Sequence, residues 1–321
     1  MNFDVTPSNI SLWSKLGMRA VFGLKCCDLA EKYDNLMVLT ADVSTSAGLD
    51  RYRKTYPDQY LDVGIAEQNM MGLATGLASE GHKVITTTFA PFQTLRCLEQ
   101  IKMASYMKQN IIMVGLCGGV SLANLGYSHC AIEDIGVLRS IPGLTILQPA
   151  DCTELVKMLD EIMTYNNPVY IRLTGEAPCP VVYEADYEFI IGEPVVHRWF
   201  DSPNVFILST GTMVSNCIGA SYLLQDKELF ASVIDVHTLK PFERVPSCLY
   251  RSGHATLVTV EEHSIIGGLN SVVCENREYS SHIRIALPDS YDTPMGDYQF
   301  MLNQHGLTAE KIAERIIGEI S

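Results

Sequence analysis

Short apolar segments alternate with longer helical segments along the first half of the chain. Five of them have the length and apolar character of buried strands: residues 36–40, 83–88, 111–115, 145–147 and 168–173. Four longer segments carry apolar side chains at helical spacing: residues 12–33, 93–107, 132–140 and 153–165. Strands that alternate with helices form a mostly parallel sheet with helices on both faces. The pattern therefore predicts an α/β fold.

A second, smaller α/β unit is predicted after a change of composition between residues 174 and 194. That stretch carries prolines, tyrosines and acids in place of a periodic apolar pattern. Beyond it, strands are predicted at residues 205–209, 232–235 and 257–260, and a helix at residues 214–224. We therefore expect two domains, residues 1–185 and residues 186–321.

Composition excludes several classes of function. A formal net charge of −14, with no basic run, argues against nucleic acid as a partner. No apolar run reaches membrane-spanning length, and the polar first residues lack a signal-peptide core, so no membrane partner and a cytoplasmic location are expected. Ten cysteines without Cys-x-x-Cys or zinc-type spacing predict buried thiols in a reducing compartment and no metal site in this chain.

One acid, Glu67, stands at the head of a long run of apolar and small residues, within residues 62–78. From Met70 onward, this run predicts a helix that is buried on all sides. Gly72 and Gly76 share one face of it, where another helix or backbone can approach closely. The acid has two explanations: an ordinary first-turn acid favoured by the helix dipole, or a catalytic carboxyl whose affinity for a proton is raised by apolar surroundings.

Seven sequence blocks occur in order along the chain. They are Ala41-Asp-Val-Ser-Thr-Ser46, Val63-Gly-Ile-Ala-Glu-Gln-Asn69, Thr88-Phe-Ala-Pro-Phe92, Ser128-His-Cys-Ala-Ile-Glu-Asp134, Leu138-Arg-Ser-Ile-Pro142, Gln148-Pro-Ala-Asp151 and Val260-Glu-Glu-His263 with Ile266-Gly-Gly-Leu269. Together they resemble the C-terminal half of transketolase, in the form in which that enzyme is divided between two polypeptides. The resemblance extends over residues 17–317, nearly the whole chain.

The resemblance implies a pyrimidine-binding domain followed by a transketolase C-terminal domain. It also implies thiamine diphosphate as cofactor and transfer of a two-carbon ketol unit from a ketose to an aldehyde or aldose acceptor. In the family, the other half carries Gly-Asp-Gly and Asn-Asn motifs that hold Mg²⁺ and the diphosphate. This sequence has no Gly-Asp-Gly, and Asn166-Asn167 is interpreted as a turn. An N-terminal transketolase subunit that holds Mg²⁺ is therefore the expected partner, in an α2β2 heterotetramer.

The matching blocks assign roles to particular residues. Glu67 matches the glutamate that hydrogen-bonds N1′ of the aminopyrimidine, and Phe92 matches the aromatic residue that stacks on that ring. The full set of assignments follows, as implied by the resemblance: Glu67 and His129 as catalytic; Glu67, Phe92, Phe89, Asp42, Val43 and Ile65 as cofactor-binding; Ser46, Cys117 and His129 as substrate-binding. From the residues alone, the two phenylalanines also suit a core and His129 a structural role. The Glu261-Glu262-His263 motif is expected to serve domain packing.

Three positions depart from the family pattern. Cys117 stands where the family has a histidine, Leu125 where it has an acid, and Gly175 or Glu176 where it often has an arginine. In the family, the missing histidine and arginine bind the substrate phosphate and the missing acid recognises a hydroxyl. Neither glycine nor glutamate can replace a bidentate arginine–phosphate contact. Pentose phosphates are therefore not the expected substrates, unless the partner, Arg172 or Arg139 supplies a replacement cation.

Three other functions remain open at the level of sequence. The first is the β subunit of a 2-oxoacid dehydrogenase E1, which shares the two-domain plan. The second is acyl transfer from a decarboxylated 2-oxoacid onto a sugar. The third is a non-catalytic paralogue that keeps the fold, against which the retention of Glu67 and Phe92 argues.

Overall fold

The computed structural model describes residues 2–242, 255–276 and 281–320. Its described strands are β1 (Leu36–Thr40), β2 (Tyr60–Asp62), β3 (Lys83–Phe89), β4 (Ile111–Leu116), β5 (Thr145–Leu147), β6 (Val169–Arg172), β7 (Val195–Arg198), β8 (Val205–Ser209), β9 (Ala231–Asp235), β10 (Thr238–Lys240), β11 (Thr256–Ser264) and β12 (His282–Leu287). They form two sheets, one in each domain. The α/β fold predicted from the alternating pattern is confirmed.

The described helices cover both faces of these sheets. They are α1 (Pro7–Leu16), α2 (Met18–Ala30), α3 (Asp50–Thr55), α4 (Glu67–Ser79), α5 (Ala90–Thr94), α6 (Leu98–Tyr106), α7 (Asp134–Arg139), α8 (Cys152–Ile162), α9 (Met213–Gln225), α10 (Leu269–Asn276), α11 (Tyr298–Gln304) and α12 (Ala309–Ile320). Side chains cap several of them. Asp151, for example, accepts a hydrogen bond from the backbone N–H of Glu154 at the start of α8, at 2.9 Å.

The first sheet has the strand order β10-β5-β6-β4-β3-β1-β2. Its pairs are parallel except β10–β5, in which a strand from the second half of the chain joins antiparallel. The second sheet, β12-β11-β8-β9-β7, is parallel except for the β7–β9 pair. No helix or strand lies in residues 173–194, all of which are described, and the proposed boundary after residue 185 falls in this segment.

Both faces of the first sheet are buried. Along β4, Ile112 and Val114 pack into one apolar cluster with α1, α2 and α8, whereas Ile111 and Met113 pack into a second cluster with α4 and α6. The second cluster continues into β8 of the other domain through Phe206. The two domains therefore share apolar packing, which adds to the link made by β10.

Two predicted helices are each divided in two. Residues 12–33 form the end of α1 and all of α2, because Gly17 adopts φ 78° and ψ 162°, outside the helical region. A Cβ at this position would lie 2.9 Å from the Cβ of Ala177, so the site favours glycine on both conformation and space. Residues 93–107 are divided by a turn between α5 and α6, and this turn contains Arg96.

The prediction that α4 is buried on all sides is wrong for the isolated chain. Met70, Met71 and Ala74 pack against the sheet, but Leu73 is 40% exposed. A Cβ added at Gly72 or Gly76 would have no described atom within 4 Å, so the glycine face of the helix is open in the part of the chain that the structure describes. The apolar composition of this helix is therefore not explained by packing within its own domain.

Candidate active site

The loops that follow β1, β3, β4 and β6 lie at one end of the first sheet. These four strands are parallel and occupy adjacent positions in the order β6-β4-β3-β1, so their carboxyl ends are side by side. In open parallel sheets, ligands bind in the crevice outside those ends. Four predicted site residues lie at or just after these strand ends: Asp42, Val43, Phe89 and Cys117.

Glu67 is the first residue of α4, and its side chain is only 4% exposed. It forms an ion pair with Arg96, whose Nη1 lies 2.5 Å from Glu67 Oε1. The backbone of Arg96 is held in turn by Gln68, whose side-chain amide donates to the Arg96 carbonyl at 3.1 Å. The expected apolar surroundings are therefore only partly present, because a cation faces the buried carboxylate. Nothing in the sequence pattern singled out Arg96.

Three aromatic rings lie together beside this carboxylate. Phe89, at the end of β3, and Phe92, in α5, have ring centroids 6.1 Å apart, and His129 lies 5.3 Å from Phe92 and 6.1 Å from Phe89. All three pairs meet edge to face, a favourable arrangement for aromatic rings. The guanidinium of Arg96 lies over the ring of Phe92, 4.4 Å from its centroid. The structure thus brings Glu67, both phenylalanines and His129 into one region.

The loop after β1 is held by a carboxylate. Asp42 has a positive φ of 57°, which is uncommon outside glycine and asparagine or aspartate. Asp62 stabilises this backbone, because its Oδ1 accepts hydrogen bonds from the N–H groups of Asp42 and Gly64, at 2.9 and 3.0 Å. Ile65 follows and is 79% exposed. Asp62 is therefore a supporting residue for the two segments that carry Asp42 and Ile65, a role that the sequence alone did not reveal.

A cavity of about 180 Å³ adjoins this loop. Ser46 and Cys117 line it, together with Arg19 and Glu176. Arg19 donates to the carbonyl of Ser46 from Nη1, at 3.4 Å, and it is the one lysine or arginine among the described lining residues. Burial raises the pKa of the Cys117 thiol to about 11, so this side chain is a neutral thiol at physiological pH. Arg19 was not among the predicted site residues.

The two arginines considered as replacement cations are engaged elsewhere. Arg172 is fully buried, and its Nε donates to Asp134 at 2.8 Å. Arg139 donates to the carbonyl of Gly267 at 3.0 Å and pairs with Glu275. Both guanidinium groups therefore hold parts of the fold together, and neither lines the cavity next to Cys117.

Glu262 and His263, from the Glu261-Glu262-His263 motif of β11, contact the first domain. Glu262 accepts hydrogen bonds from the backbone N–H of Val120 and from the Tyr298 hydroxyl, each at 2.7 Å. His263 accepts one from the N–H of Gly136 at 3.2 Å, and burial lowers the pKa of its imidazole. The motif thus connects the two domains through buried polar contacts.

Glu262 should make the stability of the chain fall as pH rises. Burial is the largest influence on its carboxyl and raises its pKa to about 7, and Asp134 acts in the same direction. Arg172 and the hydrogen bonds from Tyr298 and Val120 oppose that rise. An unfolded glutamate has a pKa of about 4.3, so the folded state binds this proton more tightly. The stabilisation that results is lost as pH rises from about 4.3 through about 7.

Thermal unfolding of the wild-type chain and of Glu262→Gln measures this effect. The melting temperature of the wild type, minus that of the variant, should be more positive near pH 5 than near pH 8. A difference that does not change with pH would contradict the prediction.

Two transketolase profiles match most of the chain. "Transketolase, pyrimidine binding domain" matches residues 14–178, and "Transketolase, C-terminal domain" matches residues 194–312. A subunit of the apulose-4-phosphate transketolase of Phocaeicola vulgatus is 33% identical over 293 residues, which are 89% of this chain and 92% of that subunit. The chain belongs to the transketolase family.

Other members of the transketolase family are similar over the same length. The 6-deoxy-6-sulfo-D-fructose transketolase subunit SqwH of a Clostridium species is 33% identical over 291 residues, 89% of this chain and 88% of that subunit. The solved structure of a split-gene transketolase, an inactive β4 tetramer, superposes with a TM-score of 0.81 at 30% identity, covering 94% of this chain and 97% of that one. The predicted resemblance to a split transketolase and the predicted two-domain fold class are confirmed.

Two kinds of feature are absent from the described part of this transketolase chain. Within the described ranges, no helix is both long and apolar enough to cross a membrane. The same residues contain no group of three or more His, Cys, Asp or Glu side chains placed to hold a metal ion.

Proposed function

We propose that this chain is the C-terminal subunit of a thiamine-diphosphate-dependent transketolase that transfers a two-carbon ketol unit from a ketose to an aldehyde or aldose acceptor. The observation that carries the proposal is the position of one buried carboxylate, Glu67, beside Phe89, Phe92 and His129 at the carboxyl end of a parallel sheet. The transketolase family uses thiamine diphosphate, and these residues suit the pyrimidine half of that cofactor.

The side chains fit an aminopyrimidine in both polarity and shape. Glu67 offers a carboxylate that can share a proton with a ring nitrogen, and Phe92 offers an aromatic face for stacking. Arg96 engages both groups, so a ring bound between them has to displace its guanidinium from the Phe92 face. No described atom lies within 4 Å of a Cβ added at Gly64, which leaves the loop ahead of α4 open to a ligand.

When bound, thiamine diphosphate supplies the nucleophilic carbon and the electron sink for breaking and forming carbon–carbon bonds. Glu67 would hold the proton at N1′ of the pyrimidine, and Phe92, with Phe89 behind it, would orient the ring. Asp42, Val43 and Ile65 would border the cofactor. Ser46 and Cys117 would contact the substrate. His129 would donate a hydrogen bond or a proton to substrate oxygens.

The diphosphate and Mg²⁺ are proposed to be held by an N-terminal transketolase subunit in an α2β2 heterotetramer. This proposal is supported by the lack of Gly-Asp-Gly in the sequence and by similarity to relatives that are themselves named as subunits. Nine described cysteines are free thiols, in keeping with the reducing cytoplasm as the proposed location.

The surface next to the site supports the proposed assembly. Along α4 and α6, Leu73 and Met103 are 40% and 46% exposed, and Tyr106, at the end of α6, is 79% exposed. Clustered exposed apolar side chains mark protein interfaces more often than free surface. The open glycine face of α4 would let a partner helix or backbone approach closely. We therefore assign this face to contact with another subunit.

The acceptor is proposed not to be a standard pentose phosphate. By the sequence resemblance, Cys117 and either Gly175 or Glu176 stand where the family has phosphate-binding side chains, and Leu125, which is exposed, stands where it has an acid. Arg19 is the one cation among the described residues of the adjoining cavity, and Glu176 lines the same cavity with the opposite charge. A substrate dianion would therefore meet little net positive charge from this subunit.

Steady-state kinetics of the assembled enzyme tests the proposed substrate range. A hydrogen bond to a charged group contributes about 1.5–3 kcal/mol, so the loss of two phosphate contacts should lower kcat/KM by about two to four powers of ten relative to an enzyme that has them. Xylulose 5-phosphate and ribose 5-phosphate should therefore rank below unphosphorylated or nucleotide-linked sugars. If they give the highest kcat/KM of a panel that also includes pyruvate as donor, the prediction is wrong.

A matched pair of variants isolates the role of charge in that cavity. Glu176→Gln removes the acid and should raise kcat/KM for the phosphorylated acceptor by up to about fivefold relative to its unphosphorylated counterpart, because an exposed charge pair contributes up to about 1 kcal/mol. Glu184→Gln removes an exposed acid from the segment of residues 173–194 and should leave the ratio unchanged. Equal ratios in the two variants would show that Glu176 does not face the acceptor.

A further inference from the structure

The loop that carries His129 is closed at its base by a backbone bridge. Gly119 and Ala131 exchange two hydrogen bonds, N–H of each to the carbonyl of the other, both at 2.9 Å. The residues between them include Leu125, at a position that departs from the family pattern, and His129, which contacts Phe92. The conformation of this base therefore determines where both side chains lie.

The second domain binds the first strand of that base with a buried carboxylate. Glu262 Oε1 accepts from the N–H of Val120, the residue after Gly119, at 2.7 Å. Its other oxygen, Oε2, accepts from the hydroxyl of Tyr298 at 2.7 Å, and Glu262 is 1% exposed. Each oxygen of this buried side chain therefore takes part in a hydrogen bond of 2.7 Å, one to the loop base and one to the second domain.

The shape of the loop base independently indicates a close fit to Glu262. Gly119 has a φ of 68°, and a Cβ at this position would lie 2.1 Å from Glu262 Oε1. No other residue than glycine would fit there without displacing the carboxylate. The backbone of Gly119 thus packs closely against Glu262, the same side chain that accepts the hydrogen bond from Val120.

The opposite strand of the base is held by Arg172. Its Nη2 donates to the carbonyl of Ala131 at 2.7 Å and to the carbonyl of Glu262 at 3.0 Å, while Asp134 pairs with its Nε. One arginine therefore joins the loop base to the same residue of β11. Both sides of the base are thus connected to Glu262. The side with Gly119 and Val120 is bound by the Glu262 side chain, and the Ala131 side is joined through Arg172 to the Glu262 carbonyl.

We propose that Glu262 is a positioning residue of the enzyme, which fixes the loop of residues 119–131 so that His129 stays against Phe89 and Phe92. It acts through the backbone of Val120 and touches neither cofactor nor substrate. The inference rests on the proposed function for the part that concerns turnover, since it assigns a catalytic consequence to the C-terminal domain. The structural part concerns the loop alone and can be tested without activity.

Hydrogen exchange of the full chain tests the structural part. Glu262→Met removes the acceptor at similar volume, whereas Glu262→Gln keeps an oxygen that can accept from Val120. We expect amide exchange at Val120 and Ala131 to rise at least about tenfold in Glu262→Met and to stay near the wild-type rate in Glu262→Gln. Tyr298→Phe, the control that removes the other partner of the carboxylate, should leave Val120 protected.

Turnover of the complex with the partner subunit tests the catalytic part. A displacement of about 1 Å can lower a rate about a hundredfold, so Glu262→Met should lower kcat by about ten- to a hundredfold, and Glu262→Gln by less than about threefold. Unchanged exchange at Val120 in Glu262→Met, or an equal rise in Tyr298→Phe, would overturn the proposal whatever reaction the enzyme catalyses. Loosened exchange with unchanged kcat would overturn the catalytic role. Absence of transketolase turnover in the wild type would instead count against the proposed function.

Discussion

Glu67→Ala is expected to lower turnover of the assembled enzyme by at least about a thousandfold while leaving the fold intact. Its buried carboxylate pairs with Arg96, whose guanidinium lies over the ring of Phe92. Loss of a positioned proton-transfer group costs about two to four powers of ten, and in the proposed role Glu67 would also be needed to activate the cofactor. The loss should therefore appear in kcat as well as in kcat/KM.

Two further variants make this result specific. Glu67→Gln keeps the size of the side chain and the possibility of a hydrogen bond, but it cannot exchange a carboxyl proton, so it should be nearly as inactive as Glu67→Ala. Glu80→Gln changes an exposed acid at the other end of α4 and should retain wild-type activity. Circular dichroism and the melting temperature check that each variant is folded. Wild-type rates in Glu67→Ala would refute the assignment of Glu67.

The positions of most candidate site residues in the fold were predictable from the sequence, for a topological reason. Asp42, Phe89 and Cys117 each come at the end of an apolar strand, and a parallel sheet brings the ends of such strands to one side. Glu67 could be proposed as a candidate because it is a lone acid ahead of an apolar helix. In each case the pattern lies within one short stretch of sequence, and the regular geometry of the fold determines where that stretch lies.

Contacts between distant segments were not predictable in the same way. Arg96 reaches Glu67 because a turn separates α5 from α6, and the helical spacing of apolar residues continues across that turn. Arg19 reaches the carbonyl of Ser46 from the helix that starts after Gly17. Neither arginine belongs to a local pattern that distinguishes it from an exposed surface residue.

The degree of burial of α4 was mispredicted for a different reason. An apolar helix can be buried by its own domain or by another subunit, and composition does not distinguish the two. Leu73 and the open face at Gly72 and Gly76 show that the described part of this domain covers only one side. The excess of apolar residues on the other side is what the proposed assembly would cover.

Cofactor binding and turnover are both expected to depend on the partner subunit. The isolated chain is expected to be inactive and to bind thiamine diphosphate poorly, because its residues suit the pyrimidine ring but it has no Gly-Asp-Gly motif for Mg²⁺ and the diphosphate. The diphosphate carries most of the charge of the cofactor, and charge-assisted contacts to it are among the strong ones. Addition of an N-terminal transketolase subunit that has this motif should restore both binding and turnover.

Titration of thiamine diphosphate and Mg²⁺ into this chain, into the N-terminal subunit and into their equimolar mixture tests whether the two subunits share one cofactor site. Isothermal calorimetry would measure binding, and a ketose donor with an aldose acceptor would measure turnover in the same samples. We expect tight, saturable binding and turnover in the mixture alone, with affinity for the cofactor at least about a hundredfold weaker in either subunit by itself. Turnover by this chain without a partner, or a mixture that neither binds the cofactor nor turns over, would contradict it.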